Sequence, residues 1–174
     1  MEGRIMEKHV IVSFFVFCCR VFGGIYGGGA GTSEDPYQIR HLEHFHELCA
    51  ATEDYDKAFV LMDDLDMKGL LFEAAPIAWD HDPNTWGVQG PKFTGCFDGN
   101  GHTIRNLTIQ NMKADYCGLF GEIHHDARIC DLTLENVLIL NRHCVGAVAS
   151  SSYGTIENCH VSGIVGSGYI AGGI

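Results

Sequence analysis

Apolar and polar residues alternate along much of the chain in runs too short for helices. Glycine or asparagine closes most of these runs, the pattern of short strands joined by tight turns. One segment breaks that rhythm. Ile39, Leu42, Phe45, Leu48 and Cys49 fall at i, i+3, i+6, i+9 and i+10, which predicts one amphipathic helix over 40–51. Phe59 to Met62 and the pair Leu65/Met67 predict a strand interrupted by Asp63 and Asp64. Residues 73–92 hold three of the four prolines and several Asp, Asn and Gly, and read as a long irregular loop. At the start, Arg4 and Lys8 precede an apolar run from Val10 to Cys19. That run is well short of the roughly 20 residues a membrane-spanning helix needs, and fits an export signal over 1–23, with a buried N-terminal strand as the alternative. Six glycines between Gly23 and Gly31 then predict a flexible linker at 24–31.

From residue 93 the chain repeats itself. The stretch from Ile104 to Ile109 recurs as Ile129 to Leu134, and again as Ile156 to Val161. Between these lie Tyr116 to Gly121, Cys144 to Ala149 and Tyr169 to Ile174, a second recurring piece that advances at nearly the same interval. Two strands per repeat with glycine at the corners fit stacked coils. The expectation is an all-β fold, a right-handed parallel β-helix or solenoid over 93–174, truncated at its C-terminus. A small N-terminal α/β cap over 32–92, containing the helix and the long loop, would cover the first coil. Identical positions should then form ladders: Ile104/Ile129/Ile156 and Leu107/Leu132/Cys159 inside, and Asn106/Asp131/Asn158 at a bend. Gly99, Gly101, Gly118, Gly146 and Gly154 would serve the corners.

These pieces carry a likeness. Tyr116-x-Gly118-Leu119-Phe120-Gly121, Tyr169 to Ile174 and Ile156-x-Asn158-Cys159-x-Val161 resemble the GLUG repeat of bacterial surface and secreted proteins. Gly31-Thr32-x-x-Asp35-Pro36-Tyr37-x-Ile39 and Phe93 to Ile104 resemble the leader domain that precedes such repeats. Cys144, where an aromatic is usual, and Ala149 and Ala171, where Gly is usual, depart from that pattern. The resemblance implies a fold and an exported address. It implies no activity, since such repeats act as spacers or adhesive surfaces in proteins of varied role, some IgA-specific metallopeptidases among them.

Composition narrows the partners. With 11 Lys+Arg against 22 Asp+Glu the formal charge is −11, which disfavours nucleic acid and anionic membrane surfaces. Behind the signal, Cys49, Cys96, Cys117, Cys130, Cys144 and Cys159 permit three disulfides. Their sparse spacing and apolar surroundings instead suggest reduced core thiols, with one or two inter-turn bridges as the rival. No Cys-x-x-Cys follows Cys19, so the sequence offers no cysteine zinc motif.

Candidate chemistry is thin. His46-Glu47-Leu48-Cys49-Ala50 lacks the second histidine of His-Glu-x-x-His. His41, His44 and His46 beside Glu43 and Glu47 read as a solvated helix face, and His124-His125-Asp126 as a surface loop. Asp63 to Asp66 and Asp80 to Asn84 lack the spacing of a calcium loop and read as surface acids. Asp98 to His102 is a tight turn, and Asn106-Leu107-Thr108 matches a glycosylation acceptor better explained by the ladder. No catalytic, cofactor or metal residue is assigned. The expected function is a non-catalytic exported module for cell-surface structure, adhesion or glycan contact. Its partners would be a glycan or surface component and further repeats or another domain after Ile174, with no membrane span in the mature chain. The alternative is a polysaccharide-cleaving lyase or glycosidase built on Asp98, Asp115 and Asp126, whose carboxylates would have to converge.

Overall fold

The computed structural model describes residues 10–11, 26–82, 84–167 and 171–172. Among them the chain is mainly β, with one α-helix, Leu42–Ala50, followed by a 3-10 turn at Thr52–Asp54. Every strand pairing among the described residues is parallel. Parallel neighbours need long return paths; here the first return, from Tyr37–Ile39 to Ala58–Leu61, carries the helix, and the later ones supply strands to other sheets before they come back. One sheet stacks Tyr37–Ile39, Ala58–Leu61, Cys96–Asp98, Arg128–Cys130 and Thr155–Glu157 in chain order. A second stacks Leu65–Asp66, Thr103–Arg105, Thr133–Asn141 and His160–Ser167, with Thr108–Asn111 also pairing to Thr133–Asn141. Shorter pairs join Phe120–Ile123 to Ala149–Ser152 and Val145–Gly146 to Ala171–Gly172.

Such short strands have little stability of their own, so stacking must hold them. Phe59, Phe97, Ile129 and Ile156 are register partners along one sheet, and Leu65, Ile104, Leu134 and Val161 along the next. Ile109, Ile139 and Val165 form a third column, with Phe72 bridged to Ile109. Phe59, Phe97, Ile104, Ile109, Ile129, Leu134 and Ile139 are all essentially inaccessible to solvent, and each such side chain contributes roughly 1.5–3 kcal/mol by burial. Phe93, Phe97 and Phe120 tie the columns together through ring contacts at 5.0 and 5.7 Å. The helix buries His44, Phe45, Leu48 and Cys49 beside the edge strand Tyr37–Ile39.

The ladders run differently from the sequence expectation. Ile129 and Ile156 do stack, but Ile104 lies beside Leu134, one corner further on, and Phe97 takes the place expected for Ile104. Likewise Asp131 meets Asn158, whereas Asn106 meets Asn136. The cause is an inconstant path length. Cys96 pairs with Arg128, Thr103 with Thr133 and Arg128 with Thr155, and each of these returns differs in length from the others. Val145 pairs with Ala171, one place beyond Ile170, its partner by the sequence repeat, and a slip of one turns a strand over.

Nor do the sheets respect residue 93. Ala58–Leu61 and Leu65–Asp66, expected in the cap, pair directly with Cys96–Asp98 and Thr103–Arg105. The expected helix at 40–51 is present as Leu42–Ala50. The expected linker at 24–31 is, from residue 26, packed and hydrogen-bonded. Gln38 exchanges backbone bonds with Gly27 and Gly28, and Tyr26 stacks on Tyr37 at 4.4 Å. Here glycine serves close approach, since a Cβ on Gly29 would lie 1.9 Å from the Pro36 carbonyl oxygen. The expected signal at 1–23 lies outside the described residues except for Val10–Ile11, which pairs with Leu70–Leu71. No helix of the described residues is long and apolar enough to cross a membrane.

Candidate functional site

The long loop is irregular, as expected, but ordered by its own side chains. Ile77 and Phe93 bridge to Phe120 and Ile123 at its two ends. Ala78 takes a left-handed backbone, φ 53°, and its N–H donates to the Tyr55 hydroxyl at 3.1 Å. Asp80 then closes the neck: its Oδ1 accepts the backbone N–H of Asp82 at 3.2 Å and of Gln89 at 2.8 Å. Asp82 caps the tip, accepting from the Asn84 N–H at 3.1 Å and the Thr85 hydroxyl at 2.7 Å. On the far side Gly87 N–H donates to the Tyr116 hydroxyl at 2.9 Å.

This scaffold exposes aromatic surface. Trp79 is 40% exposed and lies against His81 at 4.1 Å, and Trp86 is 80% exposed, edge-on to Tyr116 at 6.1 Å. The chain has two tryptophans in all, and both stand on this loop. An indole left in water forgoes its usual gain from burial, so a pair on one ordered loop is a candidate contact surface. Asp80 adds a polar element. The residue is 9% exposed, and its Oδ2 has no hydrogen-bond partner among the described residues, an acceptor in need of a donor. Burial raises the Tyr116 hydroxyl above its usual range, with Cys144, Asp115 and Asp80 adding to the effect. Asp115, the neighbour of Tyr116, is gripped by Arg142 through two bonds at 2.9 and 2.7 Å.

Other residues named from the sequence serve structure. Asp64 accepts the Thr103 N–H at 3.0 Å and the Arg105 guanidinium at 2.5 Å, and lies 3.3 Å from His102. These contacts, that backbone N–H foremost, lower its pKa. Asp66 accepts from Asn106 at 2.6 Å, so both acids join adjacent passes instead of merely facing water. His44 is buried and not on a solvated face: its Nδ1 accepts the Arg40 N–H at 3.2 Å. His124 lies 3.9 Å from the exposed Asp126, and His125 meets the exposed Tyr153 at 5.3 Å. Among the described contacts nothing joins Asp98, Asp115 and Asp126: Arg142 holds the second and His124 faces the third. All six described cysteines are free thiols. Burial pushes Cys117 and Cys130 up to about 12. A shallow groove of about 500 Å³ lies on the outer face between Lys68, Asn106, Asn136 and Ile164.

Two groupings escaped the sequence reading. The tryptophans could have been flagged by their confinement to one proline-rich loop. The convergence of Asp98, Cys130 and Asp131, whose ligand atoms all lie within 4.8 Å of one another, needed the true register.

No protein-family model matches the chain. It is 32% identical over 155 residues to Halomucin of Haloquadratum walsbyi, covering 84% of this chain and 2% of that protein. It is 31% identical over 143 residues to an Evansella cellulosilytica protein named as a Gly-rich membrane protein, covering 79% of this chain and 16% of that protein. The chain thus spans a small part of either relative. Among solved structures, a Bacteroides ovatus chain assigned as an immunoglobulin A1 protease matches with a TM-score of 0.53 at 18% identity, over 79% of this chain and 40% of that one. At that identity the likeness concerns the fold alone.

Proposed function

We propose that this chain is a stretch of right-handed parallel β-helix of the GLUG-repeat kind, in a secreted or cell-surface protein, and that its loop from Trp79 to Gly90 contacts neutral glycans. Stacked parallel registers, joined by long returns through the other sheets, support the architecture. The apolar run behind Arg4 and Lys8, and relatives named as a halomucin and a membrane protein, support the address. The glycan reading rests on one observation, the two exposed indoles held on a hydrogen-bonded loop. A flat indole covers the C–H face of a pyranose. A chain of charge −11 repels acidic polymers, so uncharged polysaccharides are the class that fits.

Affinity electrophoresis in gels containing β-glucan, xylan, galactomannan or polygalacturonate tests this. The expected result is retardation by a neutral polymer that is lost in Trp86→Ala and Trp79→Ala, with circular dichroism unchanged. Retardation equal in the double variant, retardation by no neutral polymer, or release of reducing sugar from any of them would overturn the reading.

A further inference from the structure

Strands Cys96–Asp98 and Arg128–Cys130 lie side by side with Asp98 opposite Cys130. Between them Phe97 and Ile129 point into the core, so alternation turns both Asp98 and Cys130 to the outer face. The next residue, Asp131, has φ 52°, and this left-handed bend brings its carboxylate back over the same spot. One ligand atom from each of the three residues therefore lies within 4.8 Å of the other two.

We propose that Asp98, Cys130 and Asp131 form a binding site for a single thiophilic divalent metal ion of the zinc and cobalt class. A sulfur with two carboxylate oxygens excludes calcium and magnesium, which take oxygen ligands, and matches borderline metals. Three protein ligands leave a tetrahedral ion one position for water.

The surroundings hold the ligands for that use. The Asn100 N–H donates to Asp98 Oδ1 at 2.7 Å, and the Asn158 amide to Asp131 Oδ1 at 3.1 Å, the kind of outer bond that orients metal-binding carboxylates. The Cys130 side chain, although on the outer face of the sheet, belongs to a residue only 1% exposed. Arg128, two places before it on the same strand, bonds Glu157 at 2.6 Å and also lies beside Cys96 and Cys130, where its positive charge favours the thiolate an ion would take. The ligands come from two passes of the chain, so an ion would also fasten one pass to the next. The inference is independent of the glycan reading.

Cobalt titration of the chelator-treated full chain tests it. One equivalent of Co²⁺ should produce a near-ultraviolet thiolate-to-cobalt charge-transfer band that Zn²⁺ displaces and Ca²⁺ does not. Cys130→Ser should lose the band, and Asp98→Asn and Asp131→Asn should each weaken the affinity by about tenfold or more. Asp126→Asn and Cys159→Ser should leave band and affinity unchanged. The two aspartate variants keep the test available if Cys130→Ser does not fold. Absence of the band at one equivalent, its persistence in Cys130→Ser, or full affinity in both aspartate variants would overturn the site.

Discussion

Asn136 donates its side-chain amide to the side-chain oxygen of Asn106, 2.6 Å away on the preceding pass of the chain, and both residues sit at positive φ. Asn106 in turn donates to Asp66 at 2.6 Å, so three passes are joined at one bend. Two effects are combined at Asn106 and can be separated. Asn106→Gly keeps the backbone angle and removes the ladder, at a cost of about 1 kcal/mol. Asn106→Ala also strains a left-handed backbone, adding about 1–2 kcal/mol. Thermal or urea unfolding of the two variants should rank them in that order.

Glycine substitutions should separate along similar lines. A Cβ on Gly118 would stand 2.4 Å from the Gly146 carbonyl oxygen on the next pass, whereas one on Gly101 meets nothing within 4 Å but has φ +75°. Gly118→Ala must push two backbones apart, for a loss of about 3 kcal/mol. Gly101→Ala incurs only conformational strain, about 1 kcal/mol. Urea midpoints check both, and equal losses would contradict the close packing of passes.

Histidine should govern stability in the mildly acidic range. Burial, reinforced by His41, holds the pKa of His44 below its ordinary value, and burial does the same to His46. The unfolded chain then binds these protons more readily than the folded one, so stability is complete above about pH 6.5 and falls as pH drops through that value. The carboxylates of Asp64 and Asp66, whose pKa values are lowered, lose their contribution only below about pH 4. The melting temperature should therefore decline as pH falls below about 6.5, flattest in His44→Gln.

Local chemistry was readable from the sequence and register was not. The helix follows from the spacing of Phe45, Leu48 and Cys49, and the bends from Asn106, Asp131 and Asn158, because these depend on nearest neighbours. Which residue stacks on which depends on path length, and a path whose length changes from one return to the next carries no fixed period. Ile104 and Ile129 look equivalent because both open an Ile-x-[Asn/Asp] turn, yet one packs on Leu134 and the other on Phe97. Everything that depends on neighbours between passes was hidden by the same slip: the Asp98, Cys130 and Asp131 cluster, the Asp64 contacts with Thr103 and Arg105, and the grip of Arg142 on Asp115.

That last pair links stability to the exposed loop. The Asp115 side chain is 13% exposed and receives two bonds from Arg142 on the following pass. Tyr116 follows at φ 55° and takes the Gly87 N–H beside Trp86. Arg142→Met leaves a mostly buried carboxylate without its cation, which costs about 1–3 kcal/mol, and Asp115→Asn costs less because its partner still reaches water. In the double variant the coupling should be about 1 kcal/mol, the range of a well-formed, partly exposed bidentate pair. Loosening this corner also frees Tyr116, so Arg142→Met should weaken retention by a neutral polysaccharide, although Arg142 itself lies outside the loop. Unfolding curves for the four-member cycle, with gel retardation of each protein, check both halves. A full melting-temperature loss with unaltered retention would show that the loop holds its shape without Tyr116.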